Sequence, residues 1–299
     1  MSLIVIGTIA YDSIETVHDR REEVLGGSAT YFALAASRYT EPRLVGVVGE
    51  DFKPEHRALF SEQGVHAGGL EVAAGKTFRW GGRYEPDWNT RHTTFTELNV
   101  LADFDPKVAA EHRDSKYVFL ANAVPAIQAK ALEQLERPAF VVLDTMNLWI
   151  GAARDDLVAL LRRIDAIVLN DEEARMLTGE SNLIRAASAV LGMGPRYVIL
   201  KKGEHGAFLM SSEVHFSLPA YPVAEVIDPT GAGDSFAGGF MGYIAAQDDT
   251  SPATLRKAML HGTVTASFCV QGFSVESMTA VTREDLDARF DELLGIVTV

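Results

Sequence analysis

Asp228-Pro229-Thr230-Gly231-Ala232-Gly233-Asp234-Ser235-Phe236-Ala237-Gly238-Gly239-Phe240 is a glycine-punctuated turn that runs straight into a helix. Pro229 fixes its own φ, Gly231 and Gly233 free the backbone, and the spacing predicts a helix of small residues from about Asp234. A helix N-terminus offers unpaired N–H groups and the positive end of the helix dipole, which suits an anion. An aspartate beside that anion would repel it. The placement makes sense if the carboxylate takes a proton from a hydroxyl that attacks a phosphoryl group. An ordinary Asp N-cap accounts for Asp234 but leaves the second acidic residue, the threonine and the four glycines unexplained. Gly238 and Gly239 each cost a helix about 1 kcal/mol relative to alanine, so they call for close backbone packing.

Composition bounds the rest. The 299 residues can bury one large α/β core or two smaller ones, and 47% hydrophobic with 23% charged residues is typical of a globular protein. A net charge of −14 argues against a nucleic-acid surface, which needs clustered Lys and Arg. The single cysteine, Cys269, excludes an internal disulfide and fits a reducing compartment. Met1-Ser2-Leu3-Ile4-Val5-Ile6-Gly7 lacks the basic start and apolar length of a signal peptide, and no run of about 18 apolar residues occurs. These features predict a cytoplasmic protein with no membrane partner.

A second glycine-opened helix lies near the other end. Gly26-Gly27-Ser28-Ala29-Thr30 precedes Tyr31-Phe32-Ala33-Leu34-Ala35-Ala36-Ser37-Arg38. Together the two stretches resemble the paired signatures of the ribokinase (PfkB-type) family of sugar and nucleoside kinases, the second in the form Asp-x-x-Gly-Ala-Gly-Asp. The resemblance covers essentially the whole chain. It implies an α/β fold with a three-layer α/β/α core around a mostly parallel sheet, in a single domain 1–299. It also implies a small β-lid from about 13–24 and 70–101, which closes over substrate and often forms a homodimer contact.

The resemblance assigns roles residue by residue. Asp234 is the base, and the backbone N–H groups of Gly231, Ala232 and Gly233 stabilise charge on the transferring γ-phosphoryl of ATP. Asp12 and Gly27 hold the acceptor. Thr230, Lys201, Gly203 and His261 face ATP, with Lys201 standing where a threonine is common. Asn170 and Glu173 organise Mg²⁺ through water. Many relatives bind a monovalent cation near the loop at Gln271-Gly272-Phe273-Ser274, which makes Asp228 a candidate ligand of K⁺. Tyr31 stands where sugar kinases carry an asparagine that contacts the sugar. An aromatic there either stacks on a base or sugar face, or packs into the core.

Read in order, Leu3-Ile4-Val5-Ile6 is a buried strand with Asp12 beyond its C-terminal end, where open α/β sheets bind ligands; a loop Asx turn is the plain alternative for Asp12. Residues 13–17 and the Thr- and aromatic-rich segments 77–80 and 93–100 are predicted as strands outside the main sheet, with Trp80, Arg83, Trp88 and Arg91 candidates to face the pocket. Gly49-Glu50-Asp51 matches a family loop in which Asp51 is structural. From Pro106 onward helices at 106–113, 125–136 and 154–163 alternate with strands at 117–121, 139–144 and 166–169, the rhythm of a parallel sheet. Asp144-Thr145-Met146-Asn147 ends one of these strands as a further candidate site. Asn170-Asp171-Glu172-Glu173 is either a capping pair or a hydrated Mg²⁺ site. No P-loop, full Gly-x-Gly-x-x-Gly, His-Glu-x-x-His or cysteine pair is present, so phosphate falls to the Gly231–Gly233 turn.

The resulting expectation is an ATP- and Mg²⁺-dependent kinase acting on a hydroxyl of a small sugar or polyol. A nucleoside acceptor is the alternative, on the strength of Tyr31 and the aromatics Trp80 and Trp88. A non-catalytic ligand sensor is a second rival, disfavoured by the retention of Asp228, Asp234, Asn170 and Glu173.

Overall fold

The computed structural model describes residues 1–298. In chain order the strands are β1 Leu3–Ile6, β2 Ala10–Glu15, β3 Arg20–Gly26, β4 Arg43–Gly49, β5 His66–Ala73, β6 Phe78–Tyr84 and β7 Arg91–Glu97, followed by β8 Tyr117–Leu120, β9 Phe140–Asp144, β10 Ala166–Asn170, β11 Tyr197–Lys201, β12 Ala207–Met210 and β13 His215–Leu218. The helices are α1 Ser28–Ala36, α2 Pro54–Glu62, α3 Pro125–Leu132, α4 Asn147–Ala152, α5 Arg154–Leu161 and α6 Asp171–Thr178. They continue with α7 Leu183–Leu191, α8 Ala232–Gln247, α9 Pro252–Cys269, α10 Glu276–Ala280 and α11 Arg283–Val297.

Nine strands form one sheet in the order β13-β12-β11-β10-β9-β8-β1-β4-β5. The ladder is parallel from β11 to β5 and antiparallel at β12 and β13. Its strands read as unbroken apolar runs because both faces are covered. Successive side chains alternate between faces: Leu3, Val5, Phe119 and Val168 join the core under α1, α8, α9 and α11. Ile4, Ile6, Leu120 and Leu169 join the core under α3, α5, α6 and α7. The architecture is therefore helix on sheet on helix, as expected, and a second, four-stranded sheet, β3-β2-β6-β7, accompanies it.

Helix α8 begins at Ala232, two residues earlier than predicted, and lies between α1 and α9. A Cβ at Gly238 would fall 2.5 Å from Phe32 O of α1, and one at Gly239 would fall 2.9 Å from His261 O of α9. The helical glycines thus bring three helices within backbone contact.

Three segment assignments need correction. Residues 106–113 form a single 3₁₀ turn at Ala110–His112, because the Gln134 side chain accepts from Val108 N (3.0 Å) and donates to Pro106 O (2.7 Å), holding that stretch extended. Residues 70–73 belong to β5, paired parallel to β4 in the large sheet, so the second crossing into the small sheet is 78–97. Asp12 lies within β2, opposite Val24 and Trp80, which removes the loop-turn reading.

Gly238→Val is expected to destabilise the protein by roughly 1–3 kcal/mol through overpacking against α1, read as a lower urea midpoint with an unchanged slope.

Candidate active site

The strands of the parallel ladder end at a common edge, and their C-terminal residues line a two-lobed cleft there. One lobe, of about 430 Å³, is lined by Thr8, Asn122, Asp144 and Asn170 from strand ends, together with Asp12, Gly27 and the aromatics of the small sheet. The other, of about 370 Å³, is mostly apolar, walled by Tyr221, Val223, Val226, Phe236, Ala266 and Val270. Both volumes suit small ligands. Trp88, Asn89, Lys201, Gly203, Pro229, Ala232 and Gly233 line both lobes and so form their junction.

The junction is built on the turn before α8. Gly231 has φ +76°, and a Cβ there would fall 2.3 Å from the Tyr31 ring, so the turn rests on that ring. Tyr31 is 1% exposed. Its ring is the floor beneath the glycine turn and also lines the larger lobe, and its hydroxyl has no hydrogen-bond partner among the described residues. Asp228 is fully buried and braces the turn from the other side: its carboxylate accepts from Thr230 N (2.8 Å) and Ser274 N (3.1 Å). Both oxygens are engaged by backbone N–H groups, which gives Asp228 a bracing role. The Thr230 hydroxyl is bonded to Tyr84 Oη (3.1 Å), tying the turn to the small sheet; it lines the larger, more polar lobe and not the apolar one. Ala232 N donates to Pro229 O (3.2 Å), whereas among the described residues Gly231 N, Gly233 N and Asp234 N have no backbone acceptor. The open donors at the turn are thus the N–H groups of Gly231, Gly233 and Asp234, while that of Ala232 is engaged by Pro229 O.

Charge concentrates at this junction. The Lys201 ammonium lies against Gly233, 2.6 Å from where a Cβ would be, and 3.9 Å from Asp144 Oδ1. Burial works against its charge, but the carboxylates of Asp144, Glu173 and Asp234 outweigh burial and hold its pKa above the ordinary value. Burial, then the charge of Asp144, pushes Asp234 up to about 7, with Lys201 opposing. Burial raises Glu173 to about 7, and raises Asp144, whose Oδ1 has no hydrogen-bond partner among the described residues.

Asn170 and Glu173 form a capping box at the start of α6: Asn170 Oδ1 accepts from Glu173 N, and Glu173 Oε2 accepts from Asn170 N, both 2.8 Å. The capping reading holds for these atoms. It engages one lone pair of the Asn170 amide oxygen and one oxygen of Glu173, whose carboxyl also feels the charge of Asp144. Asp144 and Asn122 are the functional candidates that the motifs gave least notice of. Their signal is position, since Asp144 ends β9 and Asn122 lies two residues beyond the end of β8. Asn122 Oδ1 accepts from Trp149 Nε1 (2.9 Å), which fixes its amide with the nitrogen as donor.

On the acceptor side, Gly27 has φ +92°, and a Cβ would collide with Thr8 O at 2.6 Å, so only glycine fits. Its N–H faces the buried Asp12, which burial pushes up to about 8. Phe78, Trp80, Tyr84, Trp88 and Arg91 of the small sheet wall the same lobe, with the Arg91 guanidinium 5.5 Å from the Trp80 ring centre. Gly203 (φ +53°) lets the Asn89 side chain press on it, closing the small-sheet turn over both lobes. His261 is a correction: it lies outside the cleft, stacked between Tyr243 (4.1 Å) and Phe290 (4.4 Å), with Tyr39 edge-on. One helical face separates it from Thr263, Ala266 and Ser267, which do line the apolar lobe.

Residues 2–281 match the family described as pfkB family carbohydrate kinase. The chain is similar to the cytidine kinase of Thermococcus kodakarensis, 29% identical over 250 residues that cover 81% of this chain and 88% of that protein. Its fold is similar to that of the Burkholderia thailandensis nucleoside kinase solved with inosine: TM-score 0.80, 22% identity, 98% of this chain and 99% of that one. It is also similar to the Salmonella enterica aminoimidazole riboside kinase solved with aminoimidazole riboside and an ATP analogue, at TM-score 0.79 and 17% identity over 97% of this chain and 100% of that one. Among the described residues no helix is long and apolar enough to cross a membrane.

The raised pKa of Asp12 has a stability consequence. Its folded value of about 8 exceeds the ordinary 3.8, so between these values the folded protein holds a proton that the unfolded chain releases. Its contribution is present below pH about 4 and is lost as pH rises toward 8. Asp12→Asn is expected to match the wild-type melting temperature near pH 4 and to exceed it at pH 8; parallel curves across that range would refute this.

Proposed function

The chain belongs to the pfkB family of carbohydrate kinases, and on that premise we propose that it transfers the γ-phosphoryl group of ATP to a hydroxyl of a nucleoside. The observation that carries this reading is the junction of the two lobes, where Asp234, the open N–H groups of Gly231 and Gly233, and Lys201 meet. Phosphoryl transfer needs mostly positioning and electrostatic stabilisation, and this junction has the groups for both. The apolar lobe suits the adenine end of ATP, and the polar lobe suits the acceptor.

In this mechanism Asp12, with Gly27 N–H, holds hydroxyls of the acceptor. Asp234 takes the proton of the attacking hydroxyl as its oxygen bonds to phosphorus and the bond to the leaving ADP oxygen breaks. Gly231 N–H, Gly233 N–H and the Lys201 ammonium face the charge on the transferring group. Glu173 and Asp144 are the hard oxygen donors that would hold Mg²⁺ through water, and the ion offsets phosphate charge. Among the described residues no three acidic, His or Cys groups form a metal cage, which suits an ion that keeps several waters and binds mainly to phosphates. Small-sheet closure over the cleft excludes water. We extend the role of that sheet to a lid within a single domain 1–299, whose homodimer contact stays a proposal.

The wall of Phe78, Trp80 and Trp88 is what favours a nucleoside over a plain sugar, because flat aromatic faces match a base. The similarity to a cytidine kinase supports the same choice. A sugar or polyol is the second reading, favoured by the family description and by Asp12, which would serve a ribose or a free sugar alike.

Two measurements test this. ADP release from Mg-ATP across cytidine, other nucleosides, ribose, fructose and polyols should show turnover with a nucleoside, and Asp234→Asn should stay folded and bind ATP while losing roughly 10²–10⁴-fold in kcat. Near-wild-type turnover would remove Asp234 from the base role. Trp80→Ala should raise KM for the nucleoside by roughly tenfold with little change in kcat; turnover with sugars alone, insensitive to Trp80, would favour the second reading.

A further inference from the structure

The opposite edge of the large sheet, at the N-terminal ends of β1, β4 and β5, carries a groove of about 880 Å³ lined by Ser2, Arg38, Arg43, His66 and His112. It lies a strand's length, roughly 20 Å, from the cleft. Three nitrogen atoms there are buried with no hydrogen-bond partner among the described residues: Arg38 Nε and both ring nitrogens of His112. His112 is 5% exposed, and its ring meets that of His66 edge-on at 4.8 Å.

Arg38 is the unusual member. Its Nη2 donates to the Gln63 side chain, and among the described residues no carboxylate lies within ion-pair distance of it. Glu41 and Glu111 also line the groove without pairing with it. Arg43, by contrast, is paired: it bonds Asp114 and Ser115, each at 3.0 Å. Burial pulls the Arg38 guanidinium below its ordinary pKa, the behaviour of a desolvated cation lacking an anion. In a chain of net charge −14 such a cation has many carboxylates to choose from, and it has none. Buried polar atoms are normally satisfied, and each exception needs a cause. Three exceptions on two residues that line one groove point to a ligand.

We propose that this groove is a second binding site, taking a phosphate group, with Arg38 and His112 as its principal contacts and His66 at its rim. A guanidinium offers a planar fork of donors, while a neutral imidazole offers one donor and one acceptor. A monoprotonated phosphate both accepts and donates and so matches the pair; a carboxylate matches the donors alone. Nothing in the kinase reaction uses these residues, and the site stands or falls independently of the acceptor.

The test is calorimetric titration of inorganic phosphate into wild-type protein whose cleft is saturated with Mg²⁺ and a non-hydrolysable ATP analogue, whose γ-group fills the glycine turn so that this turn is not the site read. One further equivalent should bind with a dissociation constant at or below about 1 mM, and Arg38→Gln should weaken it at least roughly tenfold. Histidine ring ¹⁵N spectra should show the His112 nitrogens shifting over the same range. Glycerol 3-phosphate in place of inorganic phosphate separates the sources: tighter binding of the ester assigns a phosphorylated metabolite, tighter binding of inorganic phosphate assigns the free ion. No binding beyond the cleft, or equal affinity in Arg38→Gln and His112→Asn, would overturn the proposal. Should either variant fail to fold, unchanged His112 shifts in the wild type would overturn it alone.

Discussion

The constraint on which the rest depends is the placement of the N-terminus of α8. A left-handed Gly231 turns the chain into the helix while lying flat on the Tyr31 ring, and a Cβ at Gly231 would be driven into that ring. Asp228 braces the turn by accepting from two backbone N–H groups. Glycines along α8 let α1 and α9 close on it at backbone distance, which fixes its rotation as well as its position. Because α1 also begins at the cleft, with Gly27 as its N-cap, the two glycine turns are the N-termini of one packed pair of helices. Their relative position is set by steric contact, not by long side chains.

Onto that frame the fold places more negative charge than it neutralises. Asp144, Glu173 and Asp234 share a single neighbouring lysine, and Asp12 and Asp228 are buried close by. Unpaired carboxylates out of water resist ionisation, and the raised pKa values of Asp12, Glu173 and Asp234 express this. The site is therefore a place where local stability is lower than packing alone would give. A cation arriving with a polyphosphate relieves that repulsion, so the empty site and the occupied site differ in the protonation they prefer.

Much of this was legible in the sequence, and the reasons differ by residue. The αL turn and the helix behind it follow from Gly231 and the small residues after it, since backbone freedom and close packing leave a compositional trace. The parallel sheet follows from short apolar runs separated by helices. Tyr31 illustrates the limit: sequence gives an aromatic at a site-facing position, but the choice between floor and platform depends on Gly231, about 200 residues away. His261 fails for a related reason, because rotation about α9 is set by Phe290 and Tyr243, which no local pattern reports. The helix expected at 106–113 fails because one side chain, Gln134, captures the backbone in extended form. Asp144 was legible only as a strand-end candidate, and Asn122 carries no motif and becomes visible once strand order brings the strand ends together.

The small sheet shares its chain with the large one at several points. It is assembled from 10–26 and 78–97, so the backbone leaves the large sheet after β1, returns into α1, leaves again beyond β5 and returns before β8. At the second departure Asp51 accepts from Thr77 N and Oγ1, each at 2.7 Å, and pairs with Arg79 at 2.9 Å, clamping the base of β6 to the end of β4. Mechanically this is a plate on four struts rather than a flap on one tether. Four struts restrain such a plate more than one tether would. A plate so restrained carries Trp80, Tyr84, Trp88 and Asn89 as one body, so whatever touches its near edge at Thr230 is felt at its far edge over Gly203.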